Sequence, residues 1–242
     1  MANNFNKINS LNFLFLKRFP EKPMPINIMS VRIPIKKRIK AIEGSIRRKG
    51  PSLFFLEIFV KYTVHCVYNN NLNGPMFPCK IKDAEVKIVS CNKKFNDLLD
   101  KGFDFSSFLL DRQDYKRRFA RGAILFCLIT DQKVAHVSWV GLEKKSACDF
   151  YYFPGSGDNA AYIGGTTTIP EYRRKGINLY IHSEIFQYLK KKGKSEALLA
   201  ILRENIAARN SQEKLQSYVI EERHELRLLF LFNFRWVRIR TL

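Results

Sequence analysis

Apolar and polar residues follow two different periods in the second half of the chain, and the change marks a strand followed by a helix. Ala160 to Ile169 is rich in Tyr, Ile and Thr, which favours a strand, and Pro170 ends it because proline has no N–H to donate to a sheet. After Gly176 apolar residues recur on one helical face, and Gly193 follows a run of lysines. This pattern predicts a helix of about five turns from near Lys175 to Lys192.

The same criteria predict the elements on either side of this unit. Gly164-Gly165 predicts a bulge or a close backbone approach within the strand. Glu196 to Arg203 is typical of a buried strand, and Asn205 to near Leu215 is typical of a helix. Upstream we predict a strand within Ser52 to Tyr68, a loop at Asn69 to Pro78, a strand at Ala84 to Val89, helices at Lys93 to Leu99 and Asp111 to Arg121, and a hairpin whose strands, Gly122 to Thr130 and Lys133 to Leu142, meet at the two-residue turn Asp131-Gln132.

Two more hairpins complete the predicted sheet. Asp149 to Phe153 and the strand from Ala160 flank a Pro154-Gly155-Ser156-Gly157 turn. Near the end, Glu225 to Phe232 and Arg235 to Arg240 are strand-like, with Asn233 as the corner. The order of elements predicts an α/β fold with a mixed, mostly antiparallel sheet flanked by helices and one parallel strand-helix-strand crossover.

The turn between the strand and the long helix has the composition of an anion-binding loop. In Arg173-Arg174-Lys175-Gly176-Ile177-Asn178, three cations precede a glycine at the start of the predicted helix. The first N–H groups of a helix have no intrahelical partner and carry the positive end of its dipole, so a phosphate group can satisfy both. The sequence therefore predicts a phosphorylated cofactor.

This segment resembles the cofactor signature of the GNAT superfamily of N-acetyltransferases, Gln/Arg-x-x-Gly-x-Gly/Ala. Arg173 and Gly176 match its defining positions, and Asn178 replaces the final small residue. Asn205 matches a residue that contacts the pantetheine arm in many members, whereas Gln212 stands where those members have a tyrosine general acid. The resemblance covers roughly residues 80 to 242. Over this range the chain resembles uncharacterised bacterial acetyltransferases.

The resemblance implies an acyl-CoA-dependent N-acyltransferase that transfers acetyl from acetyl-CoA to an amine of a small molecule, an amino sugar or a protein. It further implies that backbone groups of the strand before the loop bind the pantetheine arm and that the loop binds the diphosphate. The residues matched to cofactor binding are Thr167, Thr168 and Ile169 on the strand, Arg173, Arg174, Lys175, Gly176, Ile177 and Asn178 in the loop, and Asn205.

Acetyl transfer to an amine needs a neutral nucleophile and a proton for the leaving thiolate. His136 is the first candidate for the general base, because it shares a strand face with Ser138 and an imidazole ionises near neutral pH. A histidine buried in the core is the alternative interpretation of the same residue. The other candidates are Glu171, Asp149 and Asp158, and Tyr218 is a candidate to replace the absent general acid. His182 is expected to be a packing residue of the long helix.

The charge of the chain keeps two other functions open. The 242 residues include 42 Lys and Arg against 22 Asp and Glu, and this net charge of +20 attracts polyanions of any kind. One alternative is a catalytically weak acyl-CoA-binding sensor or interaction module, which the missing tyrosine permits. The other is a basic nucleic-acid-binding protein, although the sequence contains no zinc pattern or helix-turn-helix signature.

Composition also divides the chain. Residues 1–50 form a basic, poorly defined extension that could contact an anionic surface, and residues 51–242 form the predicted acyltransferase domain. No run approaches the ~20 apolar residues of a membrane span. The five scattered cysteines are expected to be reduced thiols of a cytoplasmic protein, and the four histidines lack metal-ligand spacing, so we predict no metal.

Overall fold

The computed structural model describes residues 60–108, 110–147, 157–228 and 232–239. These residues fall into two compact units: a larger one of Val64–Arg223 with 238–239, and a smaller one of 60–63 with 224–237. In the smaller unit the Tyr62 hydroxyl lies 2.6 Å from Nδ1 of His224. The predicted extension 1–50, the predicted strand Asp149 to Phe153 and residues 154–156 of the predicted turn lie outside the described residues.

The elements of the described residues agree closely with the predicted order. They are β1 Val60–Asn71, β2 Glu85–Val89, α1 Asn92–Asp100, α2 Arg112–Ala120, β3 Ile124–Thr130, β4 Lys133–Gly141, β5 Ala160–Thr168, α3 Ile177–Lys191, β6 Glu196–Leu202, α4 Ile206–Lys214, β7 Tyr218–Leu228 and β8 Phe232–Ile239. Asp131 and Gln132 both have positive φ, 49° and 57°, which confirms the two-residue hairpin turn between β3 and β4. None of the described helices is long and apolar enough to cross a membrane.

Three predicted boundaries are wrong, and the first two errors involve buried polar residues inside strands. β1 continues through Asn71 into the predicted loop, because the Asn70 amide is buried and donates to the Ala197 carbonyl at 2.8 Å. β7 begins at Tyr218, seven residues before the predicted strand, since buried Glu222 in its polar first half pairs with Arg203 at 2.5 Å. Asn233 lies within β8 and does not form the corner.

The sheet confirms the predicted fold class. In the larger unit the strand order is β2-β3-β4-β5-β6-β1-β7, and β8 is next to β7 in the smaller unit. β2 to β5 pair antiparallel, β5 and β6 pair parallel through the crossover helix α3, and β1 pairs antiparallel with β6. The sheet is therefore mixed and mostly antiparallel, with one parallel strand-helix-strand crossover.

Two irregularities of β5 open the sheet. Val137 pairs with Thr167 but Trp139 pairs with Gly164, so two β5 residues oppose Ser138, which confirms the bulge predicted at the double glycine. The parallel pairing with β6 ends at Ile163 and Leu199, although both strands continue for several residues. Beyond this point the two strands no longer bond to each other, and a cleft lies between them.

A hydrophobic core covers each face of the sheet. On one face, α1 and α2 contribute Phe95, Tyr115 and Phe119, which pack around the fully buried Trp139 of β4. On the other face lie the apolar residues of α3: Ile177, Ile181, Ile185, Phe186 and Leu189. Because α3 is held by so many buried contacts, its first turn is fixed against the open ends of β5 and β6.

Candidate cofactor-binding cleft

The main cleft of the larger unit has a volume of about 1520 Å³. Its walls are Gly164 to Thr168 of β5, Tyr172 to Leu179 of the loop and first turn of α3, Leu199 to Leu202 of β6, residues of α4 up to Lys214, and the Phe77 to Ile81 segment that follows β1. The Phe77 N–H donates to the hydroxyl of Ser183 at 2.9 Å, which fixes this last segment against α3. The cleft thus joins the unpaired strand ends to the start of a helix.

The charge of the cleft wall is entirely positive among the described residues. Its charged side chains are Lys80, Arg173, Arg174, Lys175 and Lys214, and no Asp or Glu belongs to the described lining. Charged walls of one sign in a low-dielectric cleft focus the field and concentrate ligands of opposite sign. The cleft is therefore suited to an anionic ligand.

The start of α3 presents unused backbone donors to this cleft. Gly176 precedes the helix with φ of 78°, a left-handed value that glycine adopts without strain, and no side chain caps the helix. The first bond of the helix runs from the Tyr180 N–H to the Gly176 carbonyl at 3.1 Å. The N–H groups of Ile177, Asn178 and Leu179 precede it and have no intrahelical acceptor, so they are available to an anion.

The loop before α3 is held in place by three contacts. The Tyr172 hydroxyl donates to Oδ2 of Asp131 in the β3–β4 turn at 2.8 Å, and this bond raises the pKa of Tyr172. The Lys175 ammonium lies 4.7 Å from the centre of the Tyr172 ring. The Arg173 Nε donates to the Thr168 carbonyl at 3.1 Å. The loop is thus preorganised, and part of the Arg173 side chain serves its architecture.

Nine of the ten residues that the sequence associates with cofactor binding line this one cleft: Thr167, Thr168, Arg173, Arg174, Lys175, Gly176, Ile177, Asn178 and Asn205. Ile169 is not among the lining residues. Its N–H donates to the Ala135 carbonyl at 3.1 Å and its carbonyl accepts from the Tyr172 N–H at 3.1 Å. Ile169 therefore supports the loop from behind the cleft wall.

His136 lies behind the cleft wall, with no exposed surface. Its Nδ1 is 2.7 Å from the Thr168 hydroxyl and its Nε2 is 2.9 Å from the Ser138 hydroxyl, which in turn lies 3.0 Å from the Thr166 hydroxyl. Burial, reinforced by nearby His182, lowers the pKa of His136 to about 3, so the imidazole is neutral at neutral pH. Among the described residues, the hydroxyls of Thr166 and Thr168 connect His136 to the cleft.

His182 belongs to the cleft, which the sequence did not predict. Only 1% of its surface is exposed, yet it is part of the lining. Its Nδ1 is 2.8 Å from the Asn178 carbonyl, and its Nε2 is buried without a hydrogen-bond partner among the described residues. The sequence could have indicated this position, because His182 lies four residues after Asn178 of the loop and residues at i and i+4 share a helical face.

The α4 side of the cleft contains two amide side chains. Asn205 caps α4, since its Oδ1 accepts from the Ala208 N–H at 3.2 Å. Gln212 is 1% exposed, and its Oε1 is 3.2 Å from the Ser217 hydroxyl. The position at which the resemblance implies a tyrosine therefore carries a buried amide, which cannot serve as a proton donor of comparable acidity.

The other sequence candidates lie elsewhere. Glu171 is exposed in the loop and Tyr218 is 41% exposed on β7, and neither is part of the cleft lining. Asp158 lines a separate cavity of about 360 Å³ near the start of β5, and Asp149 lies outside the described residues. Within the described residues no group of His, Cys, Asp or Glu could hold a metal ion.

Comparisons with known proteins give structural similarity only. No family model matches the sequence, and no curated protein matches it. A GNAT-family acetyltransferase from Colwellia psychrerythraea is 12% identical with a TM-score of 0.48, over 76% of this chain and 60% of that chain. A putative GNAT-family acetyltransferase from Novosphingobium aromaticivorans is 14% identical with a TM-score of 0.44, over 75% and 68%. A conserved protein of unknown function from Staphylococcus epidermidis is 12% identical with a TM-score of 0.47, over 85% and 81%.

Proposed function

We propose that the chain is an acyl-CoA-dependent N-acyltransferase, which transfers acetyl from acetyl-CoA to an amine of a small molecule, an amino sugar or a protein. The observation that carries this proposal is the cleft between the unpaired ends of β5 and β6, which opens onto the uncapped start of α3. It combines a positive phosphate site with a channel between two strands. These are the two features that a nucleotide joined to a long acyl-bearing arm requires.

In this proposal the diphosphate binds at the start of α3. The free N–H groups of the first turn, from Ile177 onward, donate to its oxygens, and Gly176 allows close approach because it has no side chain. Arg174 and Lys175 supply charge beside these donors, and Arg173 holds the loop through the Thr168 carbonyl. Lys80 and Lys214 extend the positive surface toward any further phosphate of the ligand.

The arm of the ligand lies between β5 and β6, beside Thr167 and Thr168 and within reach of Asn205. Ile169 contributes by holding the turn that precedes the loop. The bound acyl-CoA supplies the activated thioester. The chain itself positions that group at the open end of β5.

His136 is proposed to act on the reaction through its hydroxyl partners. A neutral imidazole has one N–H and one acceptor nitrogen, so it can orient the hydroxyl protons of Thr168 and Ser138 in opposite senses. Thr166 and Thr168 then present a donor and an acceptor to the cleft. The acceptor amine must lose its proton to another base or to water, because no carboxylate belongs to the described lining.

The test is a thermal melt with and without acetyl-CoA, followed by measurement of free thiol with a panel of primary amines. We expect acetyl-CoA to raise the melting temperature, because a ligand that binds only the folded state stabilises it. Thiol release with an amine identifies an enzyme. A thermal shift without thiol release identifies an acyl-CoA-binding module. DNA binding that persists at moderate salt, with no shift from acetyl-CoA, would support the nucleic-acid alternative and overturn our proposal.

We also propose that residues 51–242 form the acyltransferase domain, that residues 1–50 are a basic extension able to contact an anionic surface, and that the protein acts in the cytoplasm. The free thiols of Cys66, Cys79, Cys91 and Cys127 support a reducing compartment. A variant that lacks residues 1–50 should keep acetyl-CoA binding and lose binding to anionic lipid vesicles. Loss of acetyl-CoA binding would contradict this division.

A further inference from the structure

We propose that His182 binds the arm of the ligand, with its Nε2 accepting a hydrogen bond from an amide N–H of the pantetheine arm of acyl-CoA. This inference rests on the proposed function, because it assumes that acyl-CoA occupies the cleft. It assigns a binding role to a buried side chain that the sequence suggested only as a packing residue.

The contacts of the ring fix which nitrogen carries the proton. Nδ1 of His182 lies 2.8 Å from the carbonyl oxygen of Asn178. A carbonyl oxygen can only accept, so Nδ1 must be the donor. Burial lowers the pKa of His182, which keeps the ring neutral at neutral pH. In the neutral ring the other nitrogen, Nε2, is then an acceptor with a free lone pair.

This acceptor belongs to a residue of the cleft lining and has no partner among the described residues. Only 1% of the surface of His182 is exposed, and Nε2 has no hydrogen bond to the described residues. A buried polar atom without a partner costs about 1–3 kcal/mol. The Phe186 ring, 6.0 Å from the imidazole and nearly perpendicular to it, packs against the histidine and restricts its rotation. A ligand that offers a donor at Nε2 removes this cost.

The position of His182 along α3 selects the part of the ligand that it meets. His182 lies four residues after Asn178, which corresponds to about 6 Å along the helix axis. It is therefore about one turn deeper than the free N–H groups that bind the diphosphate. An acceptor nitrogen repels phosphate oxygens, whereas the arm of coenzyme A carries amide N–H donors. The arm thus satisfies Nε2, and the diphosphate does not.

Calorimetric titration of two ligands separates the arm from the nucleotide. Coenzyme A has the arm, and adenosine 3′,5′-bisphosphate has the nucleotide without it. For His182→Phe, which keeps an aromatic ring but has no acceptor, we expect the Kd of coenzyme A to rise about tenfold and the Kd of the bisphosphate to stay within about twofold. His182→Gln retains an acceptor oxygen and should restore most of the affinity. Lys175→Ala, which removes a cation at the phosphate end, is the contrasting variant and should weaken both ligands.

Equal weakening of both ligands by His182→Phe would show a structural role and overturn the proposal, as would unchanged affinity for coenzyme A. A second measurement on the wild-type protein is independent of any folding defect of the variants. With ¹⁵N-labelled histidine, the Nε2 resonance of His182 should move when coenzyme A binds and stay in place when the bisphosphate binds. An unmoved resonance with coenzyme A bound overturns the inference alone, whereas failure of the wild-type protein to bind coenzyme A overturns the proposed function as well.

Discussion

The helices α2 and α3 begin in opposite ways. At the start of α2 the Asp111 side chain accepts from the Asp114 N–H at 2.8 Å, and the Asp114 side chain accepts from the Asp111 N–H at 3.3 Å, which closes a reciprocal capping box. At the start of α3 stands Gly176, without any side-chain cap. Helix α2 satisfies its first N–H groups with its own side chains, whereas α3 leaves its first N–H groups open to the cleft.

This difference shows that α3 uses separate parts for stability and for binding. A side-chain cap contributes about 1 kcal/mol, and α3 does without it. The fully buried residues of α3, among them Ile181, Ile185 and Phe186, each bury enough apolar surface to offset that loss. A helix anchored by its apolar face can therefore leave its first N–H groups for a ligand.

The largest effect is expected from Gly176→Glu, which places a negative side chain at the open helix start. We expect the Kd of acetyl-CoA to rise by at least about a hundredfold, because like charges meet at short range in a partly buried site. Gly176→Ala is the matched control. It shares the strain of the positive φ, its added Cβ meets nothing within 4 Å, and it should lose far less affinity. Equal affinity of Gly176→Glu and wild type in a calorimetric titration would refute the assignment of the loop.

Asn205→Asp sharpens the comparison, since Asn205 both caps α4 and lines the cleft. The carboxylate keeps an acceptor for the Ala208 N–H but adds a negative charge beside the ligand. We expect the melting temperature to stay close to that of wild type and the Kd of acetyl-CoA to rise about tenfold. Asn205→Ser, which keeps a capping oxygen without the charge, is the control. If both variants bind equally well, Asn205 serves only as a cap.

Asp111→Ala opens the capped helix and should act on stability alone. We expect the free energy of unfolding in urea to fall by about 1 kcal/mol, because the Asp114 N–H loses its side-chain acceptor and keeps only its bond to the Asp111 carbonyl. Affinity for acetyl-CoA should not change. Asp111→Ser, which retains a capping hydroxyl, should recover most of the stability. A weaker affinity in Asp111→Ala would mean that the two helix starts are coupled.

The smallest effect is expected from salt, which should weaken ligand binding at the start of α3 and leave the stability contributed by the α2 cap unchanged. Between about 0.1 and 1 M salt the Debye length falls from about 10 to 3 Å, which screens the lysines and arginines of the cleft. We expect acetyl-CoA to bind a few times more weakly at the higher concentration. The stability difference between Asp111→Ala and wild type should remain, because it arises from a short hydrogen bond. A salt-independent Kd would contradict the electrostatic account of the cleft.

Local signals explain which parts of this structure could be predicted. The Asp131-Gln132 turn, the bulge at Gly164-Gly165 and the start of α3 near Gly176 each depend on residues adjacent in sequence. Their backbone conformations are dictated by turn chemistry and by glycine, so the sequence alone predicts them.

Long-range contacts explain the rest. Lys80 lines the same cleft as Lys175 although the two are far apart in sequence, and β1 pairs with the distant strand β6. No local sequence pattern indicates either contact. The pKa of His136 depends on complete burial in the sheet and on nearby His182 of α3, which follow from packing and cannot be read from the neighbours of a residue in the chain. The polar residues that lengthen β1 and β7 mislead any composition rule, because their partners come from other strands.

The place of β1 between β6 and β7 has a consequence for synthesis in the cell. His65 pairs with Leu202, so β1 leaves the ribosome about 130 residues before its partner strand exists. At translation rates of about 5–20 residues per second, this strand waits about 7 to 26 seconds with unpaired edges. During that interval it exposes the unpaired backbone groups of a strand edge, which promote aggregation.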